Sequence, residues 1–148
     1  MSTLYLHIGT SKTGTTSLQN FLAKNKETLL NENIFYHYIK GESSSCISLP
    51  YLFINDDSFS WYENMHNVKT SDDRIELRKR IKNNLINEFN RFPNHNWVIS
   101  SEHIFNMCFE KEPIKNLSVF LSKYFDNIKI IIFVRDQLDY FLSSYSTQ

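Results

Sequence analysis

A chain of 148 residues, 41% hydrophobic and 22% charged, holds enough apolar material for one domain with its own core. Its 16 basic and 16 acidic side chains cancel, which excludes broad attraction to nucleic acid or an anionic membrane, so any anion site has to be local. No apolar run approaches the ~20 residues of a membrane span. The N-terminus lacks the pattern of a leader, and the cytoplasm is the expected compartment. Cys46 and Cys108 lie far apart, with no Cys/His cluster at metal-ligand spacing, and read as reduced, mostly buried thiols.

In chain order, Leu4–Ile8 reads as a buried strand and Gly9 as the opening of a tight loop. Thr16 to about Leu30 reads as a helix, with Leu18, Phe21, Leu22 and Leu29 at helical spacing and Thr15 or Thr16 as its cap. Ile34–Tyr38 is a short, aromatic, β-prone stretch. The pattern then weakens as far as Thr70. Gly41-Glu42-Ser43-Ser44-Ser45 is a polar loop, Leu49 to Phe53 a helical turn, and Asn55-Asp56-Asp57-Ser58 a break. Trp61, Tyr62, Met65 and His66 argue that this stretch is ordered, and it reads as a substrate-side lobe. Phe53, Phe59, Trp61 and Tyr62 suit core packing first and an acceptor pocket second.

Ser71-Asp72-Asp73 caps a long helix reaching about Phe92. Its stripe is Ile75, Ile81, Leu85, Phe89 and Phe92, with Leu77 and Ile86 beside it. The basic run Arg78-Lys79-Arg80-Ile81-Lys82 reads as a solvated helix face. Trp97–Ser101 is a strand, and Ile114 to about Phe125 a helix behind Pro113. Lys129–Val134 is almost all Ile, Phe and Val, which predicts a strand buried on both faces, and Asp136 onward reads as helix. Strands alternating with helices predict one α/β domain over 1–148, with a mostly parallel sheet flanked by helices. Ligands of such sheets bind beyond the carboxyl ends of the strands, so the loops after Ile8, Ser101 and Val134 matter most.

The first of these reads Gly9-Thr10-Ser11-Lys12-Thr13-Gly14-Thr15-Thr16-Ser17. Glycines let a backbone turn its N–H groups onto a ligand. A helix N-terminus adds unpaired donors and partial positive charge. Lys12 adds a point charge, and Thr13, Thr15, Thr16 and Ser17 add hydroxyls. Gly9 and Gly14 match the glycine spacing of the nucleotide-triphosphatase P-loop, but position 15 is Thr where that loop needs Lys. The last loop holds Arg135, able to grip a phosphate with paired hydrogen bonds, and Ser143 two helical turns on. The middle loop, Ser100-Ser101-Glu102-His103, offers a carboxylate and an imidazole as candidate bases, Glu102 ahead of His103. Glu102 as a simple helix cap is the alternative. His7, His37, His66 and His95 have no partners at ligand spacing and read as structural or solvated.

The string His7-Ile8-Gly9, then Lys12-Thr13-Gly14-Thr15-Thr16-Ser17-Leu18-Gln19, resembles the 5′-phosphosulfate loop of bacterial sulfotransferases that use PAPS (3′-phosphoadenosine 5′-phosphosulfate). Arg135 and Ser143, with Tyr145 beyond, resemble that family's 3′-phosphate motif, except that Gln137 stands where Pro is usual. The resemblance implies a P-loop-like three-layer sandwich, present here as its N-terminal part, with an exposed sheet edge where the family has a further strand. It implies sulfuryl transfer from PAPS to a hydroxyl or amine of a glycan, lipid or small metabolite, leaving 3′,5′-ADP, with no metal and no nucleic acid. Ser11, Lys12, Thr13, Gly14, Thr15, Thr16 and Ser17 would hold the 5′ end and Arg135 and Ser143 the 3′-phosphate. Lys12 would neutralise the leaving oxygen, and Glu102 or His103 would take the acceptor's proton. The rival expectations are a P-loop nucleotide kinase and a truncated, inactive nucleotide-binding fragment.

Overall fold

The computed structural model describes residues 2–10, 12–38, 45–54, 59–138, 142 and 145. Strands β1 (Thr3–His7), β2 (Ile34–His37), β3 (Asn96–Ser100) and β4 (Asn127–Ile131) form one sheet in the order β2-β3-β1-β4. Every pairing is parallel. The helices are α1 (Thr15–Lys24), α2 (Lys26–Asn31), α3 (Ser48–Tyr51), α4 (Ser60–Met65), α5 (Ser71–Arg91), α6 (His103–Met107) and α7 (Lys111–Leu121). The α/β class and the parallel sheet are those expected.

Register divides the sheet into two faces. Leu4 lies beside Trp97 and Ile128, and Leu6 beside Ile99 and Ile130. This face meets α5 and the end of α7. Phe89 of α5 stands edge-on to Trp97 at 4.9 Å and to Phe125 at 5.2 Å. Truncating such a fully buried aromatic costs about 3–5 kcal/mol, so this cluster anchors the fold. On the opposite face, Gln19 of α1 reaches Ser100 of β3, so α1 forms the other layer.

Five expectations are corrected. The single helix over 16–30 is two helices that meet at Asn25, whose backbone N–H at 3.1 Å and side-chain amide at 2.8 Å both donate to the Phe21 carbonyl. In α5 the buried stripe is Leu77, Ile81, Leu85 and Phe89, while Ile75 is 64% exposed. The cap of α5 is Thr70, one residue earlier than expected. It accepts from the Asp73 N–H at 3.1 Å, and Asp73 accepts from the Thr70 N–H at 2.9 Å. Strand β4 is not buried on both faces: it pairs only with β1 among the described residues, and Ile130, Ile132, Phe133 and Val134 are exposed. Finally, Cys46 is buried but Cys108 is exposed.

Of the basic run, Lys79, Arg80 and Lys82 are solvated, but Arg78 turns inward over the Tyr51 ring and donates to the Ile54 carbonyl. No helix among the described residues is long and apolar enough to cross a membrane. The expected loop at 41–44 and the break at 55–58 lie outside the described residues.

Candidate functional site

The crossover from β1 runs to β2, beyond β3, whereas the crossover from β3 runs to β4, beyond β1. The two connections leave in opposite directions, and the carboxyl ends of β1 and β3 therefore border the crevice where a parallel sheet opens to a ligand. Backbone bonds carry the ladder past the strand ends: the Ser101 N–H donates to the His7 carbonyl at 2.9 Å, and the Ile8 N–H to the Ile131 carbonyl at 3.0 Å. All three loops of interest thus begin side by side.

The first loop is tied down by its own side chains. Thr13 Oγ1 donates to the Thr10 carbonyl at 2.6 Å, and Thr10 Oγ1 to the Phe133 carbonyl at 3.1 Å. Gly9 has no room for a side chain: an added Cβ would lie 2.6 Å from Thr15 Cγ2 and 2.8 Å from the His7 ring. Gly14 sits at φ 83° and Lys12 at φ 62°. The left-handed region suits Gly14 and strains Lys12. Neither Thr15 nor Thr16 caps α1. Gly14 occupies the cap position, its carbonyl accepting from the N–H groups of Ser17 at 3.1 Å and Leu18 at 3.2 Å. Thr15 is instead buried, and its hydroxyl donates to Glu102 Oε2 at 3.2 Å. Thr16, Ser17 and Lys12 face solvent.

Arg135 follows β4 and turns back onto the first loop, where Nη1 donates to the Lys12 carbonyl at 3.0 Å. Asp136 caps the turn that follows, accepting from the Leu138 N–H at 2.9 Å. Among the described residues neither Lys12 nor Arg135 meets a carboxylate within ion-pair distance. Two unpaired cations therefore share one loop edge in a chain with no net charge. Ser11 and Ser143 lie outside the described residues.

Beneath the loop runs a buried relay that the sequence reading took for structural background. His7 Nδ1 lies 2.8 Å from Ser100 Oγ, which also accepts from Gln19 Nε2 at 3.1 Å. Burial pushes the His7 pKa below its ordinary value, only partly offset by the Glu102 charge, so the ring is neutral at pH 7. Gln19 was findable: it falls one helical turn after Thr15 and shares its buried face.

Glu102 and His103 are neighbours in sequence but not in role. Glu102 stands at the start of α6 and makes no capping bond, so its carboxylate serves the first loop through Thr15. His103 turns away, with its ring 5.6 Å from Phe59 and 5.9 Å from Trp61. Burial lowers its pKa too. With Asn106 and Glu110, these rings line a separate cleft of about 270 Å³. Phe59 and Tyr62 belong to the core, whereas Trp61 is 42% exposed at the rim of that cleft. Among the described residues no group of three or more His, Cys, Asp or Glu side chains is placed to hold a metal ion.

Comparison of the chain with known protein families, with curated proteins and with solved structures returns no match.

Proposed function

We propose that this crevice binds the doubly phosphorylated adenosine of PAPS, and that the chain acts as a P-loop-like sulfotransferase. The observation that carries the proposal is the bond from Arg135 to the Lys12 carbonyl, which joins, from opposite ends of the chain, two cations that meet no carboxylate among the described residues at one strand-end crevice. A ligand with anionic groups at two positions suits such a pair better than a single phosphate does.

In this reading Thr13, Gly14, Thr15 and Thr16 hold the 5′ end through a helix N-terminus and its hydroxyls. Lys12 offsets charge on the leaving oxygen, Arg135 and Ser143 select the 3′-phosphate, and Glu102 takes the proton of an acceptor hydroxyl or amine. PAPS supplies the sulfuryl group, and the residues present contribute positioning and charge, which is most of the catalysis in the closely related phosphoryl transfers. A Thr at position 15, in place of the lysine of P-loop kinases, favours this donor over ATP.

Isothermal titration of the chain with 3′,5′-ADP, 5′-AMP and Mg-ATP tests the reading. The 3′-phosphate should tighten binding roughly 10–100-fold over 5′-AMP, the worth of one or two hydrogen bonds to a charged group. Tighter binding of Mg-ATP would point to a kinase instead. Binding of 3′,5′-ADP without sulfuryl transfer from PAPS would leave a nucleotide-binding domain alone.

A further inference from the structure

The cleft that His103 enters carries side chains that the nucleotide reading leaves unused. One wall comes from α4, with Phe59 at its cap position and Trp61 in its first turn. The other comes from α6 and the turn behind it, where His103, Asn106, Met107 and Glu110 recur at helical spacing and border the same space. The His103 ring joins the two walls, 5.6 Å from Phe59 and 5.9 Å from Trp61. A cleft of about 270 Å³ lies at the lower end of the range for small-molecule sites and suits a small ligand.

The charge in this cleft has one sign. Burial lowers the His103 pKa, so the imidazole is neutral at pH 7. Glu110 is then the one charged side chain among the described residues that line the cleft. It occupies the cap position of α7 yet makes no capping bond, and among the described residues it meets no cation within ion-pair distance. Trp61 adds an exposed aromatic face at the rim, while Phe59 and Met107 are buried. An anion would be repelled here, and a neutral ligand would cover the carboxylate without pairing it, which costs free energy. A cation pairs the carboxylate and is also drawn to the negative face of the ring. The Glu110 carboxylate, the Asn106 amide oxygen and a His103 ring nitrogen are three acceptors, matching the three N–H donors of a primary ammonium.

We propose that this cleft binds a small primary alkylammonium ion, with its charged head between Trp61 and Glu110 and its alkyl chain against Phe59 and Met107. Such binding is independent of the nucleotide reading and needs no nucleotide.

The full chain, free of nucleotide, is titrated with n-butylammonium chloride at about pH 7, where an alkyl amine is almost wholly protonated. Its neutral isostere n-butanol and a neutral sugar, methyl glucoside, are titrated in parallel at matched ionic strength. Trp61 fluorescence reads the binding, because the other tryptophan, Trp97, is only 1% exposed. The amine should bind saturably and roughly tenfold more tightly than the alcohol, the joint effect of the carboxylate and the aromatic face. Glu110→Gln should weaken the amine roughly tenfold and leave the alcohol unchanged. Trp61→Leu, read by calorimetry, should weaken the amine roughly three- to fivefold. Both side chains are exposed, so both variants should keep the urea midpoint of the parent. Equal binding of amine and alcohol, tighter binding of methyl glucoside than of the amine, or an unchanged amine affinity in Glu110→Gln would overturn the proposal.

Discussion

The guanidinium of Arg135 donates to the backbone carbonyl of Lys12 at 3.0 Å, across 123 positions of sequence. Lys12 needs such a partner, because its φ of 62° lies in the left-handed region, which costs a residue with a Cβ about 1–2 kcal/mol. The bond fixes the loop after β1 to the loop after β4. Thr10 makes a second tie through the Phe133 carbonyl at 3.1 Å. The two loops therefore act as one rim, and a change in Arg135 reaches Lys12 without touching it.

Arg135→Ala should lower the affinity for 3′,5′-ADP about 10–100-fold, the loss of a charge-assisted contact, and change 5′-AMP binding far less. Isothermal titration reads both. Arg135→Lys should recover part of the loss, since it keeps the charge but not the planar fork. Equal weakening of both nucleotides would assign Arg135 to holding the loop rather than to a 3′-phosphate.

Gly9 and Gly14 should fail differently when replaced by Ala. At Gly9 the new methyl meets Thr15 Cγ2 at 2.6 Å and the His7 ring at 2.8 Å, an overpacking worth about 1–3 kcal/mol. At Gly14 nothing lies within 4 Å, and the penalty comes from φ 83° alone. Thr15→Ser removes the Cγ2 methyl while keeping the hydroxyl that bonds Glu102. It should restore part of the stability of Gly9→Ala and none of that of Gly14→Ala, as measured by urea midpoints. Equal rescue of both would show that sterics at Gly9 are not the cause.

The strand-end loops were legible in sequence because their signals are local: Gly9, Lys12 and Gly14 at fixed spacing, and an apolar run ending in Arg135. The parallel sheet was legible for the same reason. Long-range partners were not. Nothing local pairs Thr15 with Glu102, 87 positions on, or His37 with Glu88. The cap of α1 was misread because Thr15 has two uses for its hydroxyl, and the bond to a charged carboxylate prevails over a neutral cap. Periodicity also misjudged Ile75, since a stripe read from spacing alone does not know which side the sheet lies on.

The buried relay under the loop carries a pH signature. The folded-state pKa of His7 lies below its unfolded value of about 6.5, so above that pH the group is neutral in both states and contributes no pH dependence. As pH falls from there towards the folded value, the unfolded chain takes up a proton that the folded chain refuses, and stability drops. His37 acts with the opposite sign: its pKa is raised, so its contribution is full below about 6.5 and is lost as pH rises through the folded value. His7→Gln should therefore be less stable than the parent near neutrality, yet lose less on going from about pH 7 to about pH 5. Urea denaturation at the two pH values measures this. A drop as steep as the parent's would place the acid sensitivity at His103, whose pKa burial also lowers.

The choice of base follows from which way each side chain turns. Glu102 reaches the loop after β1 through Thr15 at 3.2 Å, whereas His103 is packed against Phe59 and Trp61 in the neighbouring cleft. A base has to stand within hydrogen-bond reach of the proton that it removes, and only Glu102 borders the crevice where the donor would sit. Glu102→Gln keeps an oxygen to accept from Thr15 and so should preserve the fold and 3′,5′-ADP binding. It should lower sulfuryl transfer from PAPS about 10²–10⁴-fold, the usual contribution of a general base. His103→Gln should leave turnover at saturating acceptor within about threefold and act on the acceptor's KM, as expected of a group that shapes a binding cleft. A collapse of turnover in His103→Gln with Glu102→Gln still active would reverse the two roles, and with them the direction from which the acceptor approaches.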